Sequence, residues 1–261
     1  MSGRQARRRR AAAPRPPAGR RRQASPRVLL AAALVLLLVG AGIGLAVATS
    51  GGRSRSAGTT PAVGSLRDAL PGAAAVHALF RGIPQRGEVL GRAGAPVTLV
   101  EYVDLQCPYC RAFATSVLPG LVSAYVRPGK LRIELRLLAF IGPDSERGRA
   151  AALAAGRQGR LFDLVELLYD NQGAENAGWL SEAMVERAAA SIPGLDVPAL
   201  LAARKDVAAE ERAVEAQAKA DAVSSTPTVL VGRTGGRLRE VALASPTDAA
   251  AVGAAIRAAL G

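Results

Sequence analysis

Two cysteines are present in the chain, and they lie three residues apart in Cys107-Pro108-Tyr109-Cys110. The run Val97-Thr98-Leu99-Val100-Glu101-Tyr102-Val103 before them predicts a buried strand, and Ala112 to Leu118 after them predicts the start of a helix. A CxxC at a strand-to-helix turn sets its first sulfur at a helix N-terminus. Unpaired N–H groups and the positive end of the helix dipole stabilise a thiolate there. The thiolate is the form that attacks disulfides. Cys110, one turn on, is placed to close the bond and release a mixed disulfide. The pattern predicts a dithiol/disulfide exchange site.

Two other chemistries use the same spacing. Zinc wants four ligands, and the chain offers no third cysteine and one histidine, His77, far upstream. No metal site is expected. A purely structural disulfide across so short a loop removes little unfolded-state entropy. Exchange is the better reading, with the Cys107–Cys110 disulfide as the redox group and no separate cofactor.

The elements that must position this pair alternate between strand and helix signals. Glu88-Val89-Leu90 predicts a short first strand and Val97 to Val103 a central one. The helix from Cys107 is expected to reach about Val126, kinked at Pro119, which has no N–H to donate. Leu131 to Ala139 alternates, with Leu131, Ile133, Leu135 and Leu137 on one face, so it predicts a half-covered strand. About 144–222 carries helical signals alone. Thr228 to Val231 and Arg237 to Leu243 predict two further strands, and Thr247 to Leu260 a closing helix capped by Ser245. The fold class expected is α/β with a helical insertion.

A formal charge of +13 suggests nucleic-acid binding until it is located. Ten of the 34 basic residues are arginines within residues 1–27, which hold no acid; 24 bases then face 21 acids, a net of +3. The basic tail abuts Val28 to Ala48, 21 residues without a charge. As a helix these span about 31 Å, enough for a hydrocarbon core of about 30 Å. The positive-inside rule puts the tail in the cytoplasm and the remainder outside. A single-pass anchor in the cell membrane through residues 28–48 is expected. A cleaved signal peptide ending at Ala46-Val47-Ala48 is the alternative, although the run is long for one. No nucleic-acid partner is expected. Residues 49–80 read as a linker and short helix interrupted at Pro71, and 81–261 as one domain.

Glu101 is the one charge in an otherwise apolar strand, six residues before Cys107. Burying a carboxylate is costly, and accepting the proton of Cys110 would be a reason to do so; a strand-end glutamate reaching solvent or an arginine is the bland alternative. Thr226-Pro227 precedes a short strand, where proline is tolerated structurally. With a cis bond, its loop would lie against the CxxC and present the Thr226 backbone to a substrate strand. Trp179 and the Tyr169 segment read as core, and Glu210-Glu211-Arg212 as a solvated face.

Val97 to Cys110, together with the distant Ser225-Thr226-Pro227-Thr228, resembles the thioredoxin fold in its DsbA-like branch, and in particular its membrane-anchored, single-domain actinobacterial members. Gly82-Ile83-Pro84-Gln85, Leu168 to Gln172 and Asn176 to Leu180 are similar to that group as well, so the resemblance runs from about residue 82 to the C-terminus. It implies that Cys107 is the accessible attacking thiol and Cys110 the buried resolving one. Glu101 stands where the family keeps a buried acid and Pro227 where it keeps a cis-proline. Pro108, Tyr109 and Thr226 would contact substrate. Exported protein or peptide thiols would be the substrates, and a membrane redox partner would regenerate the site. Strongly oxidising members often carry histidine at the position of Tyr109, and tyrosine is neutral near pH 7. A reductase of the same fold and a tethered peptide-binding module without turnover stand beside the exchange enzyme.

Overall fold

The structure, a computed structural model, describes residues 60–261. The basic tail, the expected membrane span 28–48 and the start of the linker lie outside the described residues. Among the described residues no helix is long and apolar enough to cross a membrane.

The centre of the molecule is β3 (Val97–Asp104), every residue of which is buried. A strand apolar on both faces must be covered on both sides, and here its alternation feeds two cores. Leu99 and Val103 point into the main core, whereas Val100 and Tyr102 pack with Leu138, Val214, Ala218 and Leu230 on the opposite face. β3 runs parallel to β4 (Leu131–Leu138) and antiparallel to β5 (Thr228–Arg233). With β1 (Gln85–Arg86), β2 (Val89–Leu90) and β6 (Arg239–Glu240) they form a six-stranded sheet in the order β1-β2-β4-β3-β5-β6. The predicted alternation of β4 is borne out: Leu131, Ile133, Leu135 and Leu137 are buried and the residues between them are less so.

Between β3 and β4 the chain forms α2 (Pro108–Ser116), α3 (Leu118–Leu121) and a π-helical turn at Val122–Val126. The expected kink at Pro119 appears as this break. Helices α4 (Pro143–Gly156), α5 (Leu161–Asp170), α6 (Glu182–Ala190), α7 (Val197–Ala203) and α8 (Ala208–Ala220) make up the insertion before β5. α9 (Ala249–Leu260) closes the chain and packs on β5 and β3.

Four expectations are corrected. The domain begins upstream of residue 81: α1 (Ala73–Phe80) buries Ala73, Val76 and Phe80, and Leu70 joins them in the core. Phe80 meets Phe162 of α5 edge-on with ring centroids 6.1 Å apart, a contact worth about 1 kcal/mol beyond its area. Gly72 enters α1 at φ +87°, and a Cβ there would collide with Asp170. Arg237 to Leu243 supplies two strand residues, and β6 is an exposed edge with no further partner among the described residues. α9 is capped by Asp248, whose Oδ1 accepts from the Ala251 N–H at 3.0 Å, rather than by Ser245. Glu210 and Glu211 are not simply solvated: they pair with Arg157 and Arg149 of α4.

Candidate active site

β3 ends at Asp104, and the turn Leu105-Gln106 delivers Cys107 to the N-cap of α2. Pro108 follows at the first helical position, where a missing N–H costs nothing. Cys107 has extended backbone angles and its Sγ accepts the Cys110 N–H at 3.4 Å, as a capping side chain does. The Cys107 thiol reaches the carbonyl oxygen of Thr226 at 3.4 Å. The Thr226-Pro227 peptide bond is cis, and the loop lies against the CxxC. Both cysteines are free thiols.

The two sulfurs differ in environment. A hydrogen bond from the Cys110 thiol lowers the Cys107 pKa most; Thr226 and the N–H groups of Cys110 and Tyr109 add to it. Together they outweigh desolvation and bring it from 9.0 to about 6. Burial pushes the Cys110 thiol well above its ordinary value, and the neighbouring Cys107 pushes it further. Cys107 is more covered than the attacking thiol of the resemblance: it is 5% exposed and Cys110 is fully buried. Pro108 and Tyr109 are the exposed groups beside it, Tyr109 at 61%.

Glu101 is buried, 3% exposed, on the main-core side of β3 with Leu99 and Val103. Desolvation raises its pKa from 4.5 to about 8. A group with that value is a carboxylic acid at neutral pH with a minority carboxylate form able to take a proton. The expected residues Glu101, Cys107, Pro108, Tyr109, Cys110, Thr226 and Pro227 thus gather at the C-terminal end of β3 and directly beneath it.

The residues that hold the CxxC turn are polar groups to which no role was assigned from the sequence. Asp104, fully buried, accepts four hydrogen bonds: from the N–H groups of Gln106 (2.8 Å), Phe140 (2.7 Å) and Ile141 (3.1 Å), and from Ser145 Oγ (2.6 Å). Gln106 accepts the Asn176 N–H at 2.7 Å and donates to Ser145. Gln172 Nε2 donates to the carbonyls of Leu105 (2.8 Å) and Cys107 (3.1 Å). The Tyr169 hydroxyl donates to the Asp104 carbonyl at 3.2 Å, and that carbonyl also takes the Cys107 N–H at 3.0 Å. The insertion therefore anchors the active turn from one side. Tyr169 is core, as expected; Trp179 is half-buried against it. The available sequence signal was the polarity of Asp104 and Gln106 beside an apolar strand.

A family model described as Thioredoxin matches residues 85–240. A Bacillus cereus protein described as a probable disulfide bond formation protein D is 36% identical over 95 residues, covering 36% of this chain and 44% of that protein. The chain spans less than half the length of the Bacillus relatives it matches. Among solved structures, oxidised BdbD from Bacillus subtilis has a TM-score of 0.59 at 19% identity, covering 68% of this chain and 97% of that one. The α-DsbA1 protein of Wolbachia pipientis has a TM-score of 0.57 at 16% identity, covering 76% and 96%. At such identities the likeness is one of fold, and the fold includes the helical insertion. The chain belongs to the thioredoxin family.

Proposed function

We propose that the protein is an extracytoplasmic thiol–disulfide oxidoreductase that exchanges disulfides with exported proteins through Cys107 and Cys110. The observation that carries this reading is the opposition of the two thiols: Cys107 drawn down to about 6 and Cys110 driven up by burial. At pH 7 such a pair holds one nucleophile and leaving group and one protonated reserve thiol.

In the donating direction a substrate thiolate attacks Cys107 of the Cys107–Cys110 disulfide. The S–S bond breaks, Cys110 leaves and takes a proton, and a mixed disulfide forms at Cys107. A second substrate thiolate attacks that bond and releases Cys107 as thiolate. The substrate loses two electrons, which the cysteine pair gains. A membrane redox partner reoxidises the dithiol. Pro108, Tyr109 and the Thr226 backbone border Cys107 and would contact the substrate chain, with Pro227 shaping that loop. The uncharged span 28–48 would tether the domain outside the membrane, and removing residues 1–52 should leave exchange intact.

A Cys107 value of about 6 lies between those of thioredoxin, about 7, and DsbA, about 3.5. A stabilised thiolate favours the reduced enzyme and makes its disulfide the better oxidant. The name of the Bacillus cereus relative supports the same direction. Equilibration of the pair with glutathione tests it. A potential between about −200 and −120 mV is expected of a donor, and one near −270 mV would assign the site to reduction.

A further inference from the structure

The charges of the described domain are segregated along its sheet. Residues 60–261 hold 22 bases and 21 acids, a near balance that fails at the end of the sheet away from Cys107. β4 starts at Leu131 beside Val97 and β5 ends at Arg233 beside the same residue, so both lie where β3 begins. That end is about 23 Å from Asp104, at about 3.3 Å per strand residue. Lys130 precedes β4, and its N–H donates to the Tyr125 carbonyl; the Tyr125 hydroxyl accepts from Arg257 of α9 at 3.4 Å. The Thr234 N–H donates to the Pro96 carbonyl at 2.9 Å and Thr234 Oγ1 to the Ala95 carbonyl at 2.6 Å. These bonds fix the β5–β6 hairpin, with Arg233, Arg237 and Arg239, to the turn before β3. The Arg92 side chain of that turn lies beside Gly129.

These six bases and Arg127 are all exposed, and among the described residues no carboxylate forms an ion pair with any of them. The segments that bring them together, 89–100, 117–133, 228–239 and 249–261, contain no Asp or Glu. Glu240 borders them at the next strand position. The other 15 bases share the domain with all 21 acids. A basic pole and a net negative remainder make a dipole, which orients the domain as it nears an anionic surface. The pole also offers apolar contact. A cleft of about 360 Å³ between the hairpin and α9 is lined by Val231, Ala255 and Ala259 together with Arg233, Arg237 and Arg239. Guanidinium groups take phosphate oxygens bidentately, and apolar walls take hydrocarbon. A soluble polyanion uses the first of these alone; a phospholipid uses both.

We propose that this pole docks the domain on a bilayer surface of anionic phospholipid. Headgroup phosphates sit on Arg233, Arg237 and Arg239, and Cys107 faces away from the lipid. The docking does not depend on the exchange reading, but it gives that reading an orientation, with the CxxC presented to exported chains. Reoxidation by a membrane partner requires the pole to release, and a headgroup contact that salt weakens permits release. Each base at the surface strengthens binding about fivefold.

The full chain is mixed with nanodiscs of phosphatidylcholine, alone or blended with phosphatidylglycerol. Phenylglyoxal then modifies accessible guanidinium groups, and the digested chain is read by mass spectrometry. Modification of Arg233, Arg237 and Arg239 should fall about fivefold or more in the anionic discs. Arg212, exposed on α8, should stay unchanged. High salt should restore the modification. Lys130→Glu combined with Arg257→Glu, two exposed positions outside the cleft, should restore it too, while oxidation of a soluble two-thiol peptide keeps its wild-type rate. The wild-type labelling carries the test alone if that double variant does not fold. Equal modification in both kinds of disc would overturn the proposal, as would protection that survives high salt or the double substitution. Equal protection by soluble polyphosphate in neutral discs would also overturn it and make the pole a polyanion site. Peptide oxidation that survives Cys107→Ser would instead overturn the exchange reading, so the two failures are distinguishable.

Discussion

The Cys107 sulfur lies 3.4 Å from the carbonyl oxygen of Thr226, 119 residues later in the chain. This contact joins the N-cap of α2 to the loop entering β5, two segments that the antiparallel β3–β5 pairing brings to one end of the sheet. The nucleophile and the backbone that would receive a substrate strand are therefore held by the same strand pair. The thiol donates to this carbonyl only while protonated; after ionisation the N–H groups of the helix end take over.

The thiolate of Cys107 should therefore titrate alone. Its absorbance near 240 nm in the reduced protein is expected to rise with a midpoint near pH 6, with no second rise below pH 9 from the buried Cys110. For the reduced form, a depressed thiol value contributes stability that is fully present above 9.0 and is lost as pH falls through about 6. Reduced protein should accordingly lose stability relative to oxidised protein over that interval.

Thr226 is one cause of the lowered value. Thr226→Val keeps the carbonyl and removes the hydroxyl. The alkylation midpoint of Cys107 should move upward, and the rate at pH 6 should fall about two- to threefold as the thiolate fraction drops. An unchanged midpoint would leave the helix end and Cys110 as the stabilising groups.

Glu101 works in the opposite sense. Its folded-state value is raised from 4.5 to about 8, so the contribution of the protonated acid is fully present below 4.5 and is lost as pH rises through about 8. Glu101→Gln has no such proton to lose. The variant should match wild type in denaturant unfolding near pH 4.5 and exceed it by about 4 kcal/mol at pH 8, while exchanging disulfides more slowly. A gap that stays constant with pH would mean that the carboxyl reaches water.

Asp104 should be the most costly polar residue to remove near the site. Asp104→Ala leaves four donors without a partner, with a loss of about 3 kcal/mol or more. Asp104→Asn turns an N–H2 group toward donors and should lose about 2 kcal/mol. Both are read from urea unfolding midpoints, and a loss below about 1 kcal/mol would mean that solvent replaces the carboxylate.

What was legible in the sequence follows from how local each signal is. The apolar run of β3, the alternation of β4 and the cap geometry of the CxxC need neighbours within a few residues, and all three appear as read. The two-residue strand β1 carries no period to detect, and the alternation of Arg237 to Leu243 overstates β6, in which Arg239–Glu240 alone pair. Ser245 and Asp248 are both capable caps, and only the path of the chain selects Asp248. Asp104 and Gln106 depend on partners 36 to 70 residues away, Phe140 and Asn176 among them. The pairing of Arg149 with Glu211 likewise depends on how α4 meets α8.

The central claim, exchange through Cys107 with Cys110 in reserve, is tested most directly by trapping. Oxidised wild-type protein and the Cys107→Ser and Cys110→Ser variants are mixed with a two-thiol peptide, quenched with acid, alkylated and examined by mass spectrometry. In the variants, the remaining cysteine is first activated as a mixed disulfide with a small thiol. The account predicts peptide oxidation by wild type, a long-lived peptide adduct on Cys107 in Cys110→Ser when the peptide's second thiol is blocked, and no adduct in Cys107→Ser. Adducts on Cys110, or peptide oxidation by Cys107→Ser at the wild-type rate, would contradict it.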